Sequence, residues 1–295
     1  MQILSNIKRS QVEILFDYLL ILLAIVLFIL SVFPFLYIFN YSFSTSSQIS
    51  HPLLLWPQGF TIRSYNTLFS DSSVVRAFMV SVSRSIIGSV LMLIVNGMAA
   101  YALSRPSLPW GKFFRLFFLF TMYFSGGIIP TYILYKNLGL LNSFGVYIFP
   151  MIVIPFNMFL LKTYIESIPR DLEEAVLVDG GTEIDAYFRI LLPICMPVNA
   201  AVFLFSCINH WNAYIDTQLY NAMSHNLHTL QYVLYNTLAA QLSRSLEEAR
   251  MGGAVVSSQS LKMAITVVTI VPVMFVYPFL RKYFVSGLMV GSIKA

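Results

Sequence analysis

Carboxylates are the groups in this sequence best able to do chemistry, and seven of the 13 crowd into one short stretch: Glu166, Asp171, Glu173, Glu174, Asp179, Glu183 and Asp185. No serine or cysteine nucleophile stands beside a base, and no metal cluster appears, so these acids do not make a catalytic set. His225-x-x-His228 has the spacing of a metal pair but lacks a third ligand. His210 has no acid or second histidine at ligand spacing and reads as a hydrogen-bonded packing residue. Cys195 and Cys207 share one apolar run without ligand spacing, as small thiols in a packed core do. The sequence therefore predicts neither an enzyme nor a metal centre, and no cofactor held by this chain.

The acidic stretch carries its own punctuation. In "SIPRDLEEAVLV", Ser167 and Pro169 sit near a helix start, and acids in the first turn suit the positive end of the macrodipole. Gly180-Gly181 then stops that helix. Thr182-x-x-Asp185 has the form of a capping box and opens a second helix with Ile184, Phe188 and Leu192 at helical spacing. Two short helices with a sharp bend between them follow from these residues alone.

The rest of the chain must hold that stretch in place, and its composition says what it is. Of 295 residues 58% are hydrophobic and 11% charged, with mean hydropathy +0.75. That is too apolar for an ordinary soluble domain and marks an integral membrane protein. The net charge of +5 needs no nucleic-acid partner, because cytoplasmic loops of membrane proteins are rich in Lys and Arg.

Stretches long enough to cross about 30 Å of hydrocarbon fall near 14–39, 78–103, 113–135, 143–165, 191–215 and 262–281. The expected fold is thus all-α, with six transmembrane helices in a single domain spanning 1–295. The first run, after Lys8 and Arg9, is as long as a full span and lacks a cleavage pattern, so it reads as a retained helix and not a signal peptide. Six spans put both termini on one side. Lys8, Arg9, Arg105, Lys112, Arg115, Lys162, Arg170, Arg189, Arg281, Lys282 and Lys294 share that side, against Arg63, Arg76, Lys136, Arg244 and Arg250 opposite. The positive-inside rule places both termini, and the acidic loop 166–192 between spans four and five, in the cytoplasm. The long segments 40–77 and 216–261 then lie outside, as short helices or lids.

One spacing in the loop is specific. Glu174-Ala175 with Val176, then Gly180, then Ile190-x-Leu192-Pro193 resembles the EAA signature of permease subunits of ATP-binding cassette importers, in which EAA is followed by three residues, Gly, nine residues and I-x-L-P. Val176 replaces the second alanine, a small apolar change. The segments at 84–106, 124–150, 156–175, 208–216 ("INHWNAYID") and 277–295 are similar to carbohydrate-importer permeases of the maltose-permease type. Within them the chain looks closest to the subfamily handling polysaccharide fragments such as alginate.

The resemblance implies a bacterial inner-membrane subunit with four kinds of partner: a second homologous permease, two ATP-binding cassette ATPase subunits, an extracytoplasmic solute-binding protein and an oligosaccharide. It implies that loop 166–192 is the coupling helix docking on the ATPase, through Glu173, Glu174, Ala175, Val176, Asp179, Gly180, Gly181, Ile190, Leu192 and Pro193. ATP and Mg would be bound by the ATPase subunits, and this chain has no G-x-x-x-x-G-K-[ST] phosphate loop of its own. The basic tail after Arg281-Lys282 is similar to a C-terminal extension toward the ATPases, or serves as a positive-inside anchor.

Sugar passage calls for amide and hydroxyl partners and flat aromatic faces. Asn209, Trp211, Asn212 and Tyr214 supply them at the outer end of span five, where Trp and Tyr also act as interface anchors. Asn96 and Asn157 are in-span polar groups that line a path or bond helix to helix. Arg84, near the outer end of span two, faces a cavity, pairs, meets an acidic oligosaccharide, or snorkels outward. Gly126-Gly127 with Pro130 breaks span three near its outer end. The competing class is a self-contained secondary transporter driven by an ion gradient, which calls for ionisable residues or broken helices near the midplane. The mid-span groups here are mainly Asn.

Overall fold

The structure, a computed structural model, describes residues 11–45, 54–251 and 259–288. Lys8, Arg9, Lys294 and the end of the basic tail lie outside the described residues. The described chain is helical, with one isolated bridge, between Ser44 and Phe60, and no strand among the described residues. It divides into two compact units, one within Met1–Leu68 and Ser245–Val268, the other within Phe69–Arg244 and Thr269–Ala295.

In the first unit, α1 (Gln11–Ser42) outruns the expected span at both ends. Leu, Ile, Val and Phe dominate its length, and every side chain from Leu15 to Leu30 is exposed. Such all-round apolar exposure is what a lipid- or partner-facing helix presents. The chain is tied down where α1 ends: Asn40 Nδ2 donates to the carbonyls of Leu54 (3.1 Å) and Leu55 (2.8 Å), and Ser44 Oγ donates to Asn40 O at 2.7 Å. The rings of Phe43 and Phe60 stack beside the Ser44 bridge. The short helix α2 (Arg63–Ser70) follows, in the segment expected to hold short helices.

The second unit is built on α3 (Ser72–Ser104), which begins six residues before the expected span. The cause is Asp71, whose carboxylate accepts from Ser73 N at 2.8 Å and caps the helix there. Pro106 stops α3 just after its C-cap, Arg105. Among the described residues three helices are long and apolar enough to cross a membrane: Leu15–Ser42, Ser72–Ser104 and Gln259–Val276, the last within α14 (Gln259–Leu288).

The remaining three expected spans are bent pairs, each for a local reason. Helices α4 (Gly111–Tyr123) and α5 (Ile128–Asn137) meet at 117°. The backbone leaves the helix at Phe124 and turns at Gly127, whose φ of 83° suits glycine. Next come α6 (Gly145–Ile148), a 3-10 turn (Phe149–Met151) and α7 (Pro155–Glu166), bent by 46°. Pro150 and Pro155 have no N–H to continue a helical ladder. The fifth stretch begins after α8 (Asp171–Val178) and α9 (Glu183–Asp185) with a π turn (Ala186–Leu191) and α10 (Leu192–Ile194). It then turns by 81° into α11 (Met196–Asn212). Segment 216–261, expected to form short helices or lids, has the short α12 (Ile215–Tyr220) and then α13 (Leu230–Met251), which at 22 residues is longer than expected.

α3 packs on α7 and α11 around Met92, Ala100, Met158, Leu161, Tyr187, Leu191 and Val202, all buried. Small residues let the backbones close in, as they do between membrane helices. A Cβ on Gly88 would fall 2.6 Å from His210 Cε1, and one on Gly97 would meet the hydroxyl of Tyr187.

Candidate functional site

The acidic loop folds by the rules its residues follow. Asp171, Glu173 and Glu174 occupy the first turn of α8, where negative charge meets the helix N-terminus. At the other end Gly181 N donates to Val176 O (2.9 Å) and Gly180 N to Leu177 O (3.1 Å), a Schellman motif. Gly180 takes φ 82°, and a Cβ on Gly181 would lie 2.6 Å from Val176 Cγ1 and 2.9 Å from Val176 O, so each glycine has its own reason. The capping box then forms: Asp185 N donates to Thr182 Oγ1 (3.2 Å) and Thr182 N to Asp185 Oδ2 (3.0 Å). The hydroxyl and backbone N–H of Thr182 hold the Asp185 carboxyl below the usual carboxylate range. Beyond it the ladder widens to a π turn in place of the expected regular helix. Ala186, Tyr187 and Leu191 turn inward there, while Ile184 and Phe188 stay exposed.

The loop presents Glu174, Ala175 and Asp179 outward with Leu172, Leu177 and Val178, and Val178 is 85% exposed. Val176, Ile190 and Leu192 are half-buried, and Pro193 is exposed. Glu173 corrects the sequence reading. It turns into the protein, is 3% exposed and pairs with Arg105, so it does not reach for a partner. The same guanidinium lies 3.3 Å from Glu183 and 4.1 Å from the centre of the Tyr101 ring, while the Tyr101 hydroxyl donates to Glu183. Arg105 thus joins α3 to both helices of the loop. In the sequence it counted only as one more positive-inside charge.

The in-span polar residues do not gather into one lining. Asn96 is fully buried and its amide is saturated: Nδ2 donates to Met92 O and Ile152 O (both 2.7 Å), and Oδ1 accepts from Ile154 N (2.9 Å). It repairs the break between the 3-10 turn and α7. Asn157 is buried, with Nδ2 3.6 Å from Met92 Sδ. Both bond helix to helix, and neither opens on a path in this structure. Trp211 is buried and donates from Nε1 to Thr269 O at 3.0 Å. His210 is 1% exposed, yet neither ring nitrogen has a hydrogen-bond partner among the described residues, contrary to the expected hydrogen-bonded role.

Asn209 and Asn212 are exposed, and Tyr214 stacks on Tyr235 with centroids 4.7 Å apart. Asn212 and Tyr214 border a cavity of about 440 Å³ whose other walls include Tyr135, Tyr147, Tyr220 and Asp216. Aromatic faces with a few convergent polar groups are the usual make-up of a small-molecule site. Behind the cavity lies Arg84, fully buried and paired with Asp216, with Nη1 3.2 Å from Asp216 Oδ1. Its guanidinium carbon stands 4.3 Å over the Tyr147 ring. Of the alternatives read from sequence, pairing is the one the geometry adopts; the side chain does not snorkel outward. Tyr147 in turn donates to Leu227 O (2.8 Å), and its hydroxyl oxygen lies 3.0 Å from the hydroxyl of Thr217. Sequence reasoning passed over Asp216 and Tyr147, although a single acid just past an apolar run containing "INHWNAY" was a signal to use. His225 and His228 have ring centres 5.1 Å apart, and no group of three metal-ligating side chains occurs among the described residues.

Comparisons with known proteins agree on one family. The chain is 33% identical over 95% of its length, and 98% of the relative's, to the polygalacturonan/rhamnogalacturonan transport system permease protein YtcP of Bacillus subtilis (strain 168). It is 34% identical to protein LplC of the same organism over 90% of each chain. A chain from the crystal structure of a bacterial ABC transporter involved in the import of the acidic polysaccharide alginate superposes with a TM-score of 0.84 at 26% identity, covering 94% of this chain and 99% of that one. Residues 87–290, most of the sequence, match the model described as "binding-protein-dependent transport system inner membrane component", and the chain belongs to that family.

Proposed function

We propose that the chain is the permease subunit of an ATP-driven oligosaccharide importer. In this reading residues 1–295 form one transmembrane domain of six spans, three of them broken, with both termini in the cytoplasm. The observation that carries the reading is the exposed face of α8, where Leu172, Leu177 and Val178 stand beside Glu174 and Asp179 on a turn stiffened by the Schellman motif and the capping box. Apolar side chains rimmed by charge on a rigid projection are suited to docking in the groove of another protein. That protein is the ATPase, two copies of which bind ATP and Mg and supply the hydrolysis; this chain contributes no catalytic group.

ATP binding closes the ATPase pair, the loop moves with it, and the bundle turns outward to receive sugar from an extracytoplasmic binding protein. A second, homologous permease supplies the other half of the path. The cavity bordered by Asn212, Tyr214 and Asp216 is the candidate contact with the sugar, with Asn209 nearby in sequence. The names of the relatives support an oligosaccharide, and a uronate-containing one such as an alginate or galacturonan fragment is the substrate we infer. Nothing in the comparisons favours a self-contained carrier driven by an ion gradient.

Affinity purification of the chain from its native host in mild detergent tests the reading. The expected result is co-purification of a second permease and an ATPase, with hydrolysis that rises when a sugar-loaded binding protein is added. A chain that purifies alone and moves solute without ATP would overturn it.

A further inference from the structure

Arg105 does more than bear a charge at the end of a span. Its one guanidinium meets a carboxylate from α8, Glu173, and a carboxylate from α9, Glu183, while its flat face lies on Tyr101. Two acids from two helices are bridged by a planar fork with several donors, a geometry that the point charge of a lysine does not reproduce. Glu173 is nearly sealed from solvent, so its charge depends on this partner. The two helices of the loop are therefore held to the C-cap residue of α3, and to each other through it.

α3 is the element that could carry a displacement onward. It runs from Ser72 to Ser104 without a proline, whereas α4–α5, α6–α7 and α9–α11 are broken. Twenty-one residues before Arg105, about 30 Å at helical rise, the same helix places Arg84 on Asp216 in the wall of the aromatic cavity. One unbroken helix thus ends in an arginine that holds the loop and bears, farther along, an arginine that holds the cavity wall.

We propose that Arg105 is a positioning residue for energy coupling: it makes loop 166–192 and α3 move as one body, so that a push on α8 reaches the wall containing Asp216. This rests on the permease reading given above. The test uses the whole transporter, with its permease partner, ATPase and binding protein, reconstituted in vesicles, and reads sugar imported per ATP hydrolysed. Arg105→Ala is expected to leave binding-protein-stimulated hydrolysis in place while import per ATP falls by about fivefold or more, the scale of a typical coupling between sites. Arg105→Lys should fall between the two. The pair Glu173→Gln with Glu183→Gln, which keeps side-chain size and removes both charged legs, should reproduce the Arg105→Ala ratio.

A wild-type ratio in assembled Arg105→Ala overturns the proposal. If that variant does not assemble, the double Gln variant decides in the same way. Loss of assembly in both would make Arg105 a folding residue and also overturn it. A wild-type complex without stimulated hydrolysis would instead overturn the permease reading itself, and the inference with it.

Discussion

The imidazole of His210 occupies the space that a Cβ on Gly88 would fill, which presses α11 directly against the backbone of α3. The ring is buried and its edge cannot withdraw as the tip of a flexible chain would. Gly88→Ala should therefore cost about 1–3 kcal/mol, the range for overpacking a filled core. Thermal unfolding of the purified protein in detergent would measure it. Adding His210→Ala should recover most of the loss, and an additive double variant would contradict the contact.

Glu173 and Glu174 are neighbours in sequence with opposite surroundings, so their substitutions should separate. Glu174→Ala removes an exposed side chain and is expected to lower transport in the assembled importer while leaving the melting temperature within about 1–2 °C, as surface changes usually do. Glu173→Ala leaves Arg105 without its nearest acid and should reduce stability measurably. Equal effects of the two on transport and melting would count against this assignment.

Gly180→Ala forces a side chain into φ 82°, at a cost of order 1–3 kcal/mol. Gly181→Ala meets Val176 O instead, at an ordinary backbone angle. Either change should open the turn to limited proteolysis near residue 180 and uncouple import from hydrolysis. Resistance to protease equal to the parent in both variants would contradict the Schellman motif.

Breaking the pair at the cavity should be costly in one direction only. Asp216→Ala leaves the fully buried Arg84 guanidinium without its partner, and losing half of a buried pair typically costs about 3–5 kcal/mol. Arg84→Met with Asp216→Leu removes both charges together and should be much closer to the parent in melting temperature. Asn212→Ala, at an exposed position on the same cavity, should raise the KM for the imported sugar with little change in stability.

Much of this architecture was legible in the sequence because it depends on neighbours. The Gly180-Gly181 stop and the Thr182–Asp185 box involve residues at most five apart, and both form as their spacing predicts. The apolar stretches likewise located the three described helices long enough to cross a membrane, though not α13. What the spacing could not convey was how straight each stretch is, since Pro150, Pro155, Gly127 and the π turn act through backbone geometry that hydropathy does not register. Site assignments failed for a related reason. Arg105 meets Glu173 across 68 positions and Arg84 meets Asp216 across 132, so a list of polar residues along single spans could not separate those that hold helices together from those left open to a ligand. Asn96 and Trp211 belong to the first kind; Asn212 and Tyr214 border the cavity.

Asn96 has a consequence for how this gene can change. Its single amide closes the backbone groups of Ile152 and Ile154, 56 and 58 positions away, that the break in the fourth stretch leaves open. The license for that break is thus written in a different helix from the break itself. A deep mutational scan should find position 96 intolerant of Leu or Asp in the parent, and tolerance returning only in backgrounds where the 150–155 segment has been straightened. Heredity would then treat the two places as one locus, and chimaeras that exchange one without the other should be poorly made.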